Sequence, residues 1–307
     1  MEIEPNTAVG PITDGQSNRS LEGKVIVVSG ASRRLGRCYA LSLAKAGANV
    51  VALARTLGDD SEQIGTLAEV RAAARKAGRD VATFQCDLSR ESEIEVVVDE
   101  VVREFGGIDG LVNNAIASVN QMDCLHLPQD VWEESLRVNV RGPYVLMARS
   151  IPHMIARGGG SIINVTSVSA GTTSKGSGAH AGLLQYGLSK AALNRLTTYF
   201  AAEFEEDNIA VNAISPGDAS AYMRVMNHLG PDVPEHEVLA GHQLDEEFWG
   251  NPIVYLAGVR SSEMTGQVLH TYTFGQSWGP SYMTPPEWSP EIRGLLSYDN
   301  AARPRRK

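Results

Sequence analysis

From Val25 to Tyr272 the chain alternates short apolar runs with longer stretches of helical spacing. Val25–Ser29 is a short apolar run that reads as a buried strand, and Leu35, Tyr39 and Leu43 then recur at helical intervals until Gly47 stops the helix. The same alternation predicts a strand at Val50–Leu53, a helix over Glu62–Ala77 ended by Gly78, a strand at Val81–Cys86, and a helix over Glu91–Phe105 with Ser89 as its N-cap. A strand at Ile108–Asn113 follows, then a long helix from about Asp130 to Ala156 with a bend at Pro143, and a strand at Ser161–Thr166. A helix from about Leu184 to Glu205, a strand at Ile209–Ile214 and a late apolar segment at Val268–Tyr272 complete the series. Such regular alternation implies parallel pairing with helices on both faces, an α/β fold formed as a single doubly wound domain. Within it, Val97, Val101 and Phe105 form a stripe that packs a helix on the sheet.

The rhythm spans residues 21–279. Residues 1–20, rich in Gly, Pro, Asn, Thr and Ser, read as a flexible arm, and residues 280–307 as a tail with Pro285-Pro286 and a basic end, Arg303-Pro304-Arg305-Arg306-Lys307. Two irregular stretches, 171–182 and 218–249, interrupt the pattern and read as loops or lids.

Charge narrows the function classes. With a formal net charge of -9 the chain has no general basic face to neutralise phosphates, so nucleic acid is excluded as the main partner. No run approaches the roughly 18 apolar residues of a membrane span, so no membrane partner is expected. Cys38, Cys86 and Cys124 are odd in number and widely spaced, which suggests neither a disulfide framework nor a zinc site; Cys124-Leu125-His126 supplies two ligands without a second pair. No metal is expected. Glu2 and Glu4 stand where a signal peptide would be basic, and the expected location is cytoplasmic.

Three local patterns carry chemistry. The run Val25–Val28 leads into Ser29-Gly30-Ala31-Ser32-Arg33-Arg34-Leu35-Gly36 and then a helix, so backbone N–H groups at a helix N-terminus can cradle a pyrophosphate. At the end of the second strand, where an acidic residue would select a ribose 2′-hydroxyl, the chain has Ala54 followed by Arg55. Arg55 and Arg33 can converge on a 2′-phosphate, which favours NADP(H) over NAD(H). Finally, Tyr186-Gly187-Leu188-Ser189-Lys190 places a phenol and an ammonium at i and i+4 on one helix face. The cation favours the phenolate; bringing a tyrosine from about 10 to near 7 takes roughly 4 kcal/mol.

Taken in order, Ser29–Gly36, Asp87, Asn113-Asn114-Ala115, Asn139, Ser167, Tyr186–Lys190 and Pro216-Gly217 resemble the classical short-chain dehydrogenase/reductase family over roughly residues 21–279. The resemblance implies a Rossmann-type fold, a mainly parallel sheet flanked by helices, with a catalytic tetrad of Asn139, Ser167, Tyr186 and Lys190. In the family the tyrosine is the general acid or base, the serine bonds the reacting oxygen, and the lysine holds the nicotinamide ribose and lowers the tyrosine pKa. The asparagine holds a helix kink and a proton-relay water. The cofactor contacts implied are Gly30, Ser32, Arg33, Arg34, Leu35, Gly36, Arg55, Asp87, Leu88, Asn114, Ala115, Lys190, Pro216 and Gly217. The expected substrate is a small carbonyl or alcohol, and the expected assembly a homo-oligomer, dimer or tetramer.

Several positions depart from the family pattern. Arg34 replaces the middle glycine of T-G-x-x-x-G-x-G, as in pteridine-reductase-like members, although those commonly carry Asp where Ser167 stands. Ile116 replaces the glycine of N-N-A-G and narrows the pocket floor. Ala221 occupies the place of the threonine that meets the nicotinamide carboxamide, with Ser220 as a substitute. The interval from Ser167 to Tyr186, 19 positions, is longer than close relatives use, so 171–182 holds an insertion. The reaction expected is hydride transfer between NADP(H) and a carbonyl/secondary-alcohol pair. The rivals are C=N or C=C reduction on the same fold and a non-catalytic NADP(H)-binding sensor.

Overall fold

Seven strands pair in parallel in the order β3-β2-β1-β4-β5-β6-β7: β1 (Val25–Ser29), β2 (Asn49–Ala54), β3 (Val81–Gln85), β4 (Gly110–Asn113), β5 (Gly160–Val165), β6 (Ile209–Ser215) and β7 (Val268–His270). The computed structural model describes residues 21–58, 65–117, 122–171, 182–217, 246–275 and 277–279. Helices α1 (Arg34–Lys45), α2 (Leu67–Lys76), α3 (Glu91–Phe105), α4 (Gln129–Leu136), α5 (Gly142–Ala156), α6 (Leu184–Glu203) and α7 (Glu246–Ala257) connect them. Strand order reverses between β1 and β4, so the crevice at their carboxyl ends is the switch point where such sheets bind ligands.

Why these runs become strands is visible in where their residues go. In β1, Ile26 and Val28 enter a core shared with α1, α2 and α7, whereas Val25 and Val27 enter one shared with α3, α5 and α6. Both faces are covered, so an unbroken apolar run is what the strand needs. At the amino end of the sheet the buried Asp109 ties three segments together: it accepts from Val25 N at 2.9 Å, Lys24 Nζ at 3.2 Å and Arg157 at 2.9 Å. Burial alone would raise its pKa, but these bonds and the two cations hold it below the ordinary carboxylate value.

Four expectations need correction. Thr66 caps α2, its hydroxyl accepting from Glu69 N at 3.3 Å, so the described helix starts at Leu67 and not at Glu62. Ser89 does not cap α3. Its backbone N–H donates to Asp87 Oδ1 at 2.9 Å, Glu93 accepts from Asp87 N at 2.8 Å, and the N-cap is Arg90. The long helix runs without interruption from Gln129 to Ala156, but not as one regular α-helix: a π-helical turn at Arg137–Arg141 joins α4 to α5. Pro143 has no N–H for the Asn139 carbonyl four residues back, and the ladder slips to an i+5 bond, from Gly142 N to Arg137 O. Finally, the stretch expected to be irregular as far as Trp249 already contains the first turn of α7. Gly250 and Pro252 disguised that helix as a loop. The arm at 1–20, the insertion at 172–181, the lid at 218–245 with Ser220 and Ala221, and the tail at 280–307 lie outside the described residues.

Candidate active site

All the candidate side chains come from segments that leave the carboxyl ends of the strands. Gly30, Ser32, Arg33, Arg34, Leu35 and Gly36 form the turn from β1 into α1. Arg55 follows β2, Asp87 and Leu88 follow β3, Asn114 and Ala115 follow β4, Ser167 follows β5, and Pro216-Gly217 follows β6. Asn139 sits in the π-helical turn, and Tyr186 and Lys190 sit in the first two turns of α6.

The glycine turn is closed down on β4. A Cβ on Gly36 would meet the Gly30 carbonyl oxygen at 2.1 Å, and one on Gly30 would meet Ala115 Cα at 2.7 Å. Asn114 Nδ2 donates to the carbonyls of Ser29 at 3.0 Å and Gly30 at 3.2 Å. Ser29 Oγ accepts from Asn114 N at 3.0 Å and Ala115 N at 3.2 Å. Arg34 holds the left-handed conformation, φ +49°, that a glycine would adopt more cheaply. Arg33 precedes α1 as an N-cap with no side-chain cap bond, and the first turn carries no acidic residue. The helix thus turns its N-terminal N–H groups and the positive end of its dipole toward the ligand end of the sheet, the kind of donor set a pyrophosphate requires.

On the adjoining strand, Ala54 is buried and offers no carboxylate, and Arg33, Arg34 and Arg55 are all exposed. Arg55 faces Asp87 closely enough for its charge to act on that carboxyl. Burial pushes the Asp87 pKa up, but the bonds from Ser89 and the Arg55 and Arg90 cations bring it below its usual value. The end of β2 itself thus carries a cation, Arg55, in place of an acid, with the Asp87 carboxylate of the next segment facing it.

Ser167, Tyr186 and Lys190 are brought together. The Ser167 hydroxyl is close enough to the Tyr186 phenol to bear on its pKa as a hydrogen-bonding group, while its Oγ also accepts from Ser169 N at 3.1 Å and donates to Ser169 Oγ at 3.2 Å. Lys190 Nζ lies 5.8 Å from the Tyr186 ring centroid and donates to the Val165 carbonyl at 2.7 Å. Lys190 is 1% exposed. Here the electrostatics differ from the sequence expectation: the phenol is not depressed. Burial raises the Tyr186 pKa above its ordinary value, with the Ser167 hydroxyl pulling weakly the other way. The large shift belongs to Lys190, whose burial lowers it to about 7.

Asn139 is part of the same scaffold but does not touch Lys190 with its side chain. Its Oδ1 accepts from Ala117 N at 2.8 Å, and its Nδ2 donates to Ser189 Oγ at 3.0 Å and Ser135 Oγ at 3.3 Å. Ser189 Oγ in turn donates to the Tyr186 carbonyl at 2.7 Å. The asparagine therefore joins the segment after β4 to the turn of α6 that carries the tyrosine. Ile116 lies between the two pinned neighbours, Ala115 and Ala117, and is 43% exposed.

Sequence reasoning overlooked Ser29, Ser135, Ser189 and Trp249. Ser29 and Ser189 lie inside motifs already singled out, so a hydroxyl at the end of a strand or beside a tyrosine was a usable signal. The partners of Ser135 and Trp249 come from other elements and leave no local trace. Among the described residues no group of three or more His, Cys, Asp or Glu is placed to hold a metal ion, and no helix is long and apolar enough to cross a membrane.

Comparison with known proteins gives a consistent picture. A family model described as short chain dehydrogenase matches residues 24–228. The 2-dehydro-3-deoxy-D-gluconate 5-dehydrogenase of Pseudoalteromonas atlantica is 31% identical over 261 residues, covering 81% of this chain and 94% of its own length. The 3-oxoacyl-(acyl-carrier-protein) reductase of Thermotoga maritima is 32% identical over 256 residues, covering 81% of this chain and 96% of its own. A solved metagenomic short-chain oxidoreductase in complex with NADP superposes with a TM-score of 0.64 at 27% identity, over 82% of this chain and 97% of its own.

Proposed function

The chain belongs to the short-chain dehydrogenase family, and from that premise we propose that it transfers hydride between NADP(H) and a carbonyl/secondary-alcohol pair, with Tyr186 exchanging the proton. The observation that carries this reading is the meeting of Ser167, Tyr186 and Lys190 at the carboxyl end of the sheet: the Ser167 hydroxyl bears on the half-buried phenol, and the buried Lys190 amine lies 5.8 Å from its ring.

NADP(H), when bound, supplies the hydride in reduction and receives it in oxidation. Gly30, Ser32, Arg34, Leu35 and Gly36 would hold its pyrophosphate through the open end of α1, and Arg33 and Arg55 its 2′-phosphate. Asp87 and Leu88 would meet the adenine, Asn114 and Ala115 the length of the dinucleotide, Lys190 the nicotinamide ribose, and Pro216-Gly217 the nicotinamide. The named relatives are a 2-dehydro-3-deoxy-D-gluconate 5-dehydrogenase and a 3-oxoacyl-(acyl-carrier-protein) reductase, and a small ketone bearing an acidic or acyl arm is the substrate class we favour.

In the reducing direction Ser167 Oγ donates a hydrogen bond to the carbonyl oxygen and orients it. Tyr186 Oη then releases its proton to that oxygen as the carbonyl becomes an alcohol, and the tyrosinate recovers a proton from solvent. A phenol held above its ordinary pKa is fully protonated at neutral pH, which suits it to donate. Lys190 in its charged form stabilises the tyrosinate as it appears. Asn139 keeps the tyrosine's helical turn in register. In oxidation the same atoms act in reverse.

The test is NADPH oxidation followed at its absorbance against a panel of 3-oxoacyl esters, keto-sugar acids and simple ketones, with product identification. Alcohol products from at least one ketone support the reading; turnover only of C=N or C=C compounds, or of nothing in the panel, contradicts it. We also propose that the chain is a homo-oligomer. An open, mainly apolar groove of about 810 Å³ runs between α4, α5 and α6, lined by Trp132, Leu136, Val140, Tyr144 and Leu196. Light scattering at micromolar concentration should give a dimer or tetramer, and a monomer mass counts against it.

A further inference from the structure

Pro216-Gly217 follows β6, and α7, later in the chain, packs against it. Trp249 Nε1 donates to the Pro216 carbonyl at 3.1 Å, across 33 positions of sequence. Trp249 is 0% exposed and, among the described residues, leads the fully buried side chains in volume. Its ring stands edge-on to Phe248 with centroids 4.9 Å apart. An aliphatic or phenyl side chain could occupy this apolar position, but only a buried donor can bond that oxygen.

This bond constrains more than its own energy suggests. The proline ring fixes φ of residue 216 near −65°. Holding the carbonyl oxygen against the indole fixes the orientation of the peptide plane that follows, which is set by ψ of the same residue. Neither torsion of Pro216 is then free, and Gly217, at φ +79° in the left-handed region, makes the sharp departure from the strand. The turn is thereby presented in one orientation at the ligand-binding end of the sheet.

We propose that Trp249 is a positioning residue: its indole N–H locks the Pro216-Gly217 peptide plane so that the turn meets the nicotinamide half of the cofactor without reordering. The inference rests on the NADP(H) reading above and goes beyond it, since it assigns a role in cofactor orientation to a core residue of α7. A preformed turn loses nothing to ordering when the ligand arrives, whereas a turn free to rotate does.

Calorimetric titration separates this role from a packing role. Wild type and Trp249→Phe are titrated with NADPH and with 2′-phospho-ADP-ribose, which keeps the phosphates and adenosine and lacks the nicotinamide. The expected result for Trp249→Phe is NADPH binding weakened about 5- to 10-fold, the size of one lost net hydrogen bond, with the fragment unchanged within about twofold. Equal affinities of variant and wild type for NADPH overturn the proposal, and so does an equal loss for both ligands. As a second measurement independent of the variant's folding, the Trp249 indole ¹⁵N–¹H resonance of the wild type should move on adding NADPH and stay in place with the fragment. No movement with NADPH overturns the proposal. A wild type that binds neither ligand overturns the NADP(H) reading together with this one, whereas intact wild-type binding with an unaffected variant overturns this one alone.

Discussion

Asn139→Ala is the substitution that most directly asks whether the π-helical turn serves the chemistry. Asn139 is 1% exposed and makes three bonds. When its side chain is removed, Ser135 Oγ keeps the Gln185 carbonyl at 3.3 Å and Ser189 Oγ keeps the Tyr186 carbonyl at 2.7 Å, so neither hydroxyl is orphaned. The buried Ala117 N–H loses its Asn139 acceptor. An unsatisfied buried amide costs about 1–3 kcal/mol, and two lost donations add about 1 kcal/mol more. The expected destabilisation of about 2–4 kcal/mol lowers Tm by roughly 5–15 °C for a domain of this size. Function should suffer beyond stability, because the Asn139–Ser189–Tyr186 carbonyl chain sets where the phenol stands; displacement of a reacting group by about 1 Å can cost on the order of 10²-fold in rate. The assay is a thermal melt paired with kcat and cofactor affinity well below the melting range. The expected variant is less stable, at least tenfold slower, and within threefold of wild type for NADPH. A Tm shift under about 2 °C with kcat unchanged would refute the argument.

Two further outcomes follow from the charges at the site. Arg55→Ala should weaken NADPH by roughly 10- to 150-fold, the worth of one charge-assisted contact of about 1.5–3 kcal/mol, and leave NADH nearly untouched; kcat/KM measured with both cofactors decides, and an equal loss for both means that Arg55 is not the phosphate clamp. Lys190→Met should abolish turnover yet stabilise the fold at neutral pH. The lysine pKa falls from 10.5 unfolded to about 7 folded, so between those values the unfolded chain holds a proton that the folded one has released, and this group's contribution to stability rises with pH across that window. The advantage of the methionine variant should therefore be full at about pH 7 and below and should shrink toward pH 10.5; denaturant melts at pH 6.5 and 10 that show a pH-independent gap would contradict the assignment of the shift to burial.

What the sequence disclosed, and what it hid, divides along physical lines. β1, β4, β5 and β6 were legible because strands covered on both faces read as continuous apolar runs, and the turns at their carboxyl ends carry short motifs in fixed order. That was enough to place Ser167, Tyr186 and Lys190 side by side. The π-helical turn between α4 and α5 was half legible: Pro143 announced a disturbance, but the compensating i+5 slip depends on how the ladder heals and not on the proline alone. α7 was missed because Gly250 and Pro252 oppose the helix locally, while burial of Phe248, Trp249, Ile253 and Leu256 outweighs them. The inversion of the expected pKa shifts has the same origin. Spacing at i and i+4 predicts that tyrosine and lysine are neighbours, but how deeply each is desolvated is decided by β5 and the turn at Asn139, which spacing does not describe.

The central claim, that Tyr186 exchanges the proton while other residues hold the cofactor, is tested most directly by Tyr186→Phe, with single-turnover NADPH oxidation and NADPH binding measured on the same preparation. The account predicts a rate lower by about 10² to 10⁴-fold, the usual worth of general acid catalysis, with the Kd for NADPH within about threefold of wild type. A variant that turns over within threefold of wild type would contradict it.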